Sequence, residues 1–254
     1  MKQKIIGIIL LIVSLGCLAY SGIELYKYYT ENNNNEQIVE ELKTEVVNNP
    51  VYIENNEVIP VEEDEPYVNP YVDLQAENSD LVGWITIPGT RIDYPVMQTP
   101  NNEQYYIHRD FYHNYSSPGM IFCRGAADLE KPSQNITMYG HHMRIGTMFH
   151  DLTRYQDEEF YQMHRYIQFN TSYRPGTYEV VAAFESSTTD FNFWDFIDSD
   201  SKNGISAEEF NDNFQGRTPY ETTEVSPEDE FITLITCNYH RSNGRYIVIA
   251  RRVQ

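Results

Sequence analysis

The side chains with the most chemistry to offer are Cys237 and Arg245. Cys237 closes an apolar, β-branched run, Phe231-Ile-Thr-Leu-Ile-Thr-Cys237, and a polar loop follows it. A thiol at a strand end before such a loop is displayed, whereas a free cysteine is more usually a small buried hydrophobe. The local pattern leaves both readings of Cys237 open. Ser242-Asn243-Gly244 is turn material, because Asn and Gly tolerate positive φ. Residues 246–250 then read as a second strand. Folded back beside the first, that strand returns Arg245 to the level of Cys237. A guanidinium beside a thiol favours thiolate and can hold an oxyanion.

The elements that must position these groups are mostly strands. Trp84-Ile-Thr-Ile-Pro88 and Ile92-Asp-Tyr-Pro-Val-Met97 flank a Gly89-Thr90 turn, after a short helix near residues 73–81. Met120-Ile-Phe-Cys123 and Asn135-Ile-Thr-Met-Tyr139 follow, the latter ending at Gly140-His141-His142. Residues 143–166 read as helical, 166–170 and 177–185 as strands. With the final pair this makes about eight strands, spaced as in an all-β barrel with short helices in its connections. A long connection, 191–229, precedes the last pair, and its Ile205, Phe210 and Phe214 have helical spacing.

The N-terminal part differs in texture. Lys2 and Lys4 precede an uncharged apolar run over 5–23, close to the ~20 residues that span a bilayer. The preceding lysines predict a cytoplasmic N-terminus (1–4) and an extracellular remainder. Residues 24–71 are rich in Asn and acid, including Glu62-Glu-Asp-Glu65, and read as a solvated stalk. The catalytic domain is then expected over 72–254. A formal net charge of −20 argues against nucleic acid as a partner, since phosphate binding needs a basic surface. Three cysteines form no even disulfide framework. Cys17 lies in the apolar run, and Cys123 reads as buried packing at a strand end.

One stretch imitates a metal site. Residues 198–209 place Asp198, Asp200 and Glu209 at positions one, three and twelve of an EF-hand-like loop. Lys202 occupies a ligand position, however, and Gly204 comes one place late. A helix start, with Ser206 as N-cap and Glu209 closing a capping box, explains the same residues more simply. No metal site is expected.

Thr-Leu-Ile-Thr-Cys237, with Gly-Arg245 downstream and Tyr-Gly-His141 far upstream, resembles the sortase family of cysteine transpeptidases. The family pattern is a Thr-Leu-x-Thr-Cys strand end, an arginine opening the next strand and a distant histidine, and all three stand here in family order. The likeness covers roughly residues 75–254. A long connection with an inserted helix before the catalytic strand is most like class B.

The resemblance implies a closed eight-stranded sortase-type β-barrel on a membrane-anchored N-terminal helix. It implies Cys237 as nucleophile, His141 as proton carrier and Arg245 as oxyanion or backbone clamp, with Thr236 as a substrate-positioning candidate. It further implies cleavage of a C-terminal sorting motif, of Leu-Pro-x-Thr-Gly or Asn-Pro-x-Thr type, and transfer to a peptidoglycan or lipid II amine, with no organic cofactor. His142 and Arg241 are alternatives to His141 and Arg245. His240, close to Cys237, is expected to be an exposed loop residue. His108, His113, His150 and His164 read as ordinary surface or helix residues. Asn238 stands where related enzymes often carry an acid. Rival readings are a pilin-polymerising sortase, a peptidase with water as acceptor, and a surface-displayed binding module.

Overall fold

The computed structural model describes residues 2–46, 51–60, 66–131, 134–189, 207–226, 228–240 and 242–254. Asp198, Asp200 and Arg241 lie outside these residues. The strands among them are β1 (Ile53–Glu54), β2 (Glu57–Val58), β3 (Leu81–Thr86), β4 (Asp93–Met97), β5 (Ile121–Cys123), β6 (Asn135–Tyr139), β7 (Tyr166–Thr171), β8 (Thr177–Ser187), β9 (Phe231–Asn238) and β10 (Gly244–Arg252). The helices are α1 (Lys2–Glu45), α2 (Val72–Glu77), α3 (Glu158–Met163) and α4 (Ala207–Asn213). β3 to β10 close into an eight-stranded barrel in the order β10-β8-β7-β3-β4-β5-β6-β9. Two of its pairings are parallel, β4 with β5 and β6 with β9.

Alternation along the strands builds two apolar layers on opposite faces of the same wall. Ile232 and Leu234 of β9 and Tyr246 and Val248 of β10 join the barrel core. Phe231, Ile235, Ile247 and Ile249 belong to a second cluster outside it. Successive side chains of a strand point to opposite faces, so both faces being covered explains why these runs are continuously apolar. In β8, both Val181 and Ala182 join the outer cluster, while Val180 and Ala183 join the core. The pairing with β10 skips Val181, a bulge that resets the alternation.

α4 supplies the outer cover. Phe210 stacks on Phe231, centroids 5.1 Å apart, and Phe214 on Phe184 at 5.8 Å. Phe231 starts β9 and Cys237 nearly ends it, so the two are about 20 Å apart at ~3.3 Å per residue. α4 therefore covers one end of the outer face and leaves the Cys237 end open. Among the expected helical segments, 143–149 is irregular, because Gly146 and Met148 adopt φ of 92° and 59°. Regular structure resumes as 3-10 turns over 150–156 and then α3.

The expected solvated stalk is corrected by the structure. α1 runs unbroken past the apolar segment, and Asn32, Asn35, Val39 and Leu42 are 1%, 1%, 1% and 0% exposed. This spacing places one helical stripe against the barrel. The asparagines that made the segment look solvated are themselves bonded there. Ser116 Oγ donates to Asn35 Oδ1 at 3.1 Å, and Thr147 Oγ1 to Asn32 Oδ1 at 3.4 Å. Tyr94 donates to Glu36 at 3.0 Å and accepts from the Met148 N–H at 3.0 Å. Further along, β1 and β2 form a hairpin turning at Asn55 and Asn56, with φ of 52° and 60°, the conformation of a tight primed turn. Asn56 Nδ2 ties that hairpin to the Gln162 carbonyl at 2.6 Å.

Replacing fully buried Leu42 by Asp is expected to release the second half of α1 from the barrel, by burying an unpaired charge in an apolar contact. Hydrogen exchange over residues 32–45 should then accelerate at least tenfold, while β9 and β10 stay protected.

Candidate active site

The antiparallel pairing of β9 and β10 sets Cys237 directly opposite Arg245. The turn between them works because Asn243 holds φ at 55°. β6 runs parallel to β9 on its other side, with Tyr139 level with Ile235. Continuing that register by two residues sets His141 level with Cys237. The alignment is held past the end of β6. Gly140 N donates to the Ile235 carbonyl at 3.2 Å, and Thr236 Oγ1 donates to the Gly140 carbonyl at 2.8 Å. His142 Nδ1 then meets the Cys237 carbonyl at 2.9 Å.

His141, Cys237, Arg245 and Thr236 all line one groove of about 410 Å³. Its floor includes the outward residues Phe122, Tyr139 and Ile235, and its far wall Glu103, Ile107 and Arg124. Phe122 and Tyr139 stack at 5.6 Å. Glu103 and Arg124 pair at 3.4 Å. Among the described residues Arg245 forms no ion pair, and it donates to the Gly244 carbonyl at 2.9 Å. A guanidinium has further N–H groups to offer a ligand.

The two thiols of the barrel differ sharply. Cys123 is fully buried, and burial pushes its thiol up to about 12, so it stays protonated and inert. Cys237 is half-buried at the groove. Both are free, so no disulfide joins them.

His141 is held at its edge by the Ile107 carbonyl, 2.9 Å from Nε2. A carbonyl only accepts, so Nε2 carries a hydrogen and Nδ1 bears the lone pair of the neutral ring. Burial holds its pKa below the ordinary histidine value, opposed by the Ile107 hydrogen bond and reinforced by nearby His108. His142 is also lowered, first by burial. Its ring packs on His150 at 4.5 Å and carries the bond to the Cys237 carbonyl. His142 thus fastens the chain beyond Cys237, and only His141 of the two lines the groove. Glycine is required just before them at 140: a Cβ there would strike Ile121 and approach Phe149 to 2.7 Å.

Other sequence expectations are sorted by the same geometry. Thr236 is 2% exposed, and its hydroxyl is committed to Gly140. Asn238 turns away to Glu185, 2.7 Å from Nδ2, and His240 is exposed. Glu209 is exposed on α4. Among the described residues no group of three or more His, Cys, Asp or Glu side chains is placed to hold a metal. His108 is an exposed residue ending a 3-10 turn, as expected, and its ring also stacks on His141. No sequence pattern announced that contact, which joins two distant loops.

The sortase domain family model matches residues 85–253. This chain belongs to the sortase family. It is 29% identical to sortase B of Listeria monocytogenes across 99% of this chain and 98% of that protein. It is 30% identical to sortase B of Staphylococcus aureus across 71% of this chain and 73% of that one. Among solved structures it is similar to the Staphylococcus aureus sortase B–substrate complex, with TM-score 0.71, 26% identity and coverage of 89% and 97% of the two chains. It is also similar to Bacillus anthracis sortase B, with TM-score 0.68 and 25% identity over 89% and 99%. The sortase is therefore a cysteine transpeptidase of class B, and its closed eight-stranded barrel is the one expected from sequence.

Two measurements test this geometry. Gly140→Ala should reduce activity at least tenfold with little loss of secondary structure, because His141 is displaced. The second concerns pH. His141 and His142 both have folded-state pKa values below their unfolded value near 6.5, so the unfolded chain binds more protons in acid. Their contribution to stability is present above about pH 6.5 and lost as pH falls below it. The Tm should drop between pH 7 and pH 5, and His142→Asn should flatten that drop.

Proposed function

We propose that this sortase is anchored by its N-terminal helix in the cell membrane and attaches surface proteins to the cell wall through a thioester on Cys237. The observation that carries this reading is the meeting of Cys237, His141 and Arg245 in one groove. The apolar helix, long enough to cross a membrane, supports a single span over 5–23 with the N-terminus (1–4) inside and the catalytic domain outside.

In the first half-reaction the Cys237 thiolate attacks the scissile carbonyl of a sorting motif. Arg245 stabilises the tetrahedral oxyanion. His141, as imidazolium, donates a proton from Nδ1 to the departing amine, so collapse of the intermediate leaves a thioester and a free amine. In the second, an acceptor amine attacks the thioester, neutral His141 takes its proton, and the thiolate leaves. One amide replaces another with no change in oxidation state. Thr236, by holding Gly140, keeps His141 level with the sulfur. The acyl donor is an LPxTG- or NPxTN-like motif, and the acceptor is a peptidoglycan or lipid II amine. Solved relatives described as a sortase B–substrate complex and as sortase B complexed with triglycine support a peptide donor and an amine acceptor.

The test is a panel of sorting-motif peptides, each incubated with and without a small amine. The parent should form amine adducts, and Cys237→Ala should form none. Arg245→Ala should lower kcat/KM about 10²- to 10³-fold, the usual cost of an oxyanion donor. A water-only product would point to a peptidase. Polymerisation on a pilin lysine would point to the pilus-assembling alternative.

A further inference from the structure

The groove accounts for His141 but not for the second imidazole lying on it. His108 ends the 3-10 turn over residues 105–108. Its ring is stacked on that of His141, with centroids 5.3 Å apart and planes 18° from parallel. The preceding residue supplies the Ile107 carbonyl to His141 Nε2. One turn therefore grips His141 by edge and by face. His108 is itself oriented, its Nδ1 donating to the Ser117 carbonyl at 3.3 Å, with the Tyr115 ring at 6.2 Å.

We infer that His108 is a positioning residue for the proton carrier, whose stacked ring orients His141 and whose charge controls how readily His141 is protonated. This rests on the reading of His141 as proton carrier. Cys237 and Arg245 share the groove with His141, and Glu103 and Arg124 stand in its wall as a mutual pair. His142 is turned to the Cys237 carbonyl and to His150. Beside His108, Arg109 lies over Tyr105 at 5.0 Å and donates to the His113 carbonyl. Among the described residues His108 is the titratable group stacked on the His141 face.

Two unit charges 5.3 Å apart in water alter an equilibrium by about fourfold. A charged His108 opposes the imidazolium that acylation requires. The neutral form that takes the proton of the acceptor amine is favoured instead. With that charge in place His141 is protonated less readily, so acylation gains less from mild acid than His141 alone would give.

The experiment uses the full chain in detergent micelles, labelled at histidine Cε1. His108→Phe keeps a stacked ring without charge, and His108→Lys keeps a charge without the ring. Because His108 is exposed, neither threatens the fold. For each protein the His141 resonance is titrated, and kcat and KM for acylation of a sorting-motif peptide are followed from pH 5 to 9. His108→Phe should raise the imidazolium fraction of His141 at pH 6 about two- to threefold, and move the alkaline limb of kcat for acylation to higher pH with KM unchanged. His108→Lys should do the opposite, and 1 M salt should shrink the difference between them. Equal His141 titrations in all three proteins, shifts in the same direction in both variants, or a change confined to KM would overturn the inference. If the titration moves as expected while the alkaline limb stays fixed, His141 is not the proton carrier. That result overturns the role on which the inference rests, while the electrostatic contact stands.

Discussion

The structure depends above all on the parallel pairing of β6 with β9. Without it, His141 and Cys237 belong to separate hairpins and have no reason to meet. β5 pairs antiparallel with β6, and β9 antiparallel with β10, so the β6–β9 seam joins two local units. Everything at the site is measured from that seam. Thr236 and His142 prolong it beyond the last ladder bond, through Gly140 and the Cys237 carbonyl. Parallel pairing needs a long crossover, and here the crossover contains β7, β8 and α4. The length of chain between the histidine and the cysteine is a consequence of this topology.

The seam also explains why the site sits where it does. A barrel wall with two apolar faces needs an outer cover, and α4 supplies it at the Phe231 end of β9. Where that cover stops, the outward residues of β5, β6, β9 and β10 line the groove instead. α1 braces the loops around the histidine. It holds Thr147 and Met148, on the loop after His142, and Ser116, on the loop after His108. A helix that looks like a tether by composition is thus packed against the loops that carry both histidines.

What the sequence showed follows from which constraints are local. The eight barrel strands were readable because each is a short apolar run bounded by turn residues. The Cys237–Arg245 pairing was readable because Ser242-Asn243-Gly244 permits a tight return. His141 could not be paired with Cys237 from local pattern, since a parallel seam leaves no periodicity behind, and there the family motif supplied the partner. The docking of α1 was missed because Asn32 and Asn35 look solvated until Ser116 and Thr147 are seen to bond them. The helix expected over 143–166 failed in its first part, at Gly146 and Met148, whose backbone φ is positive. The His108–His141 stack lies between two loops and has no sequence signature.

The central claim is that Cys237 carries the acyl group and that His141 and Arg245 serve it there. Intact-mass analysis of the full chain, incubated with a sorting-motif peptide without amine, tests it most directly. The expected result is a single adduct of the mass of the acyl fragment, mapped to Cys237 by digestion and discharged on adding an amine. An adduct on Cys123, or amine product formed at the parent rate by Cys237→Ala, would contradict it.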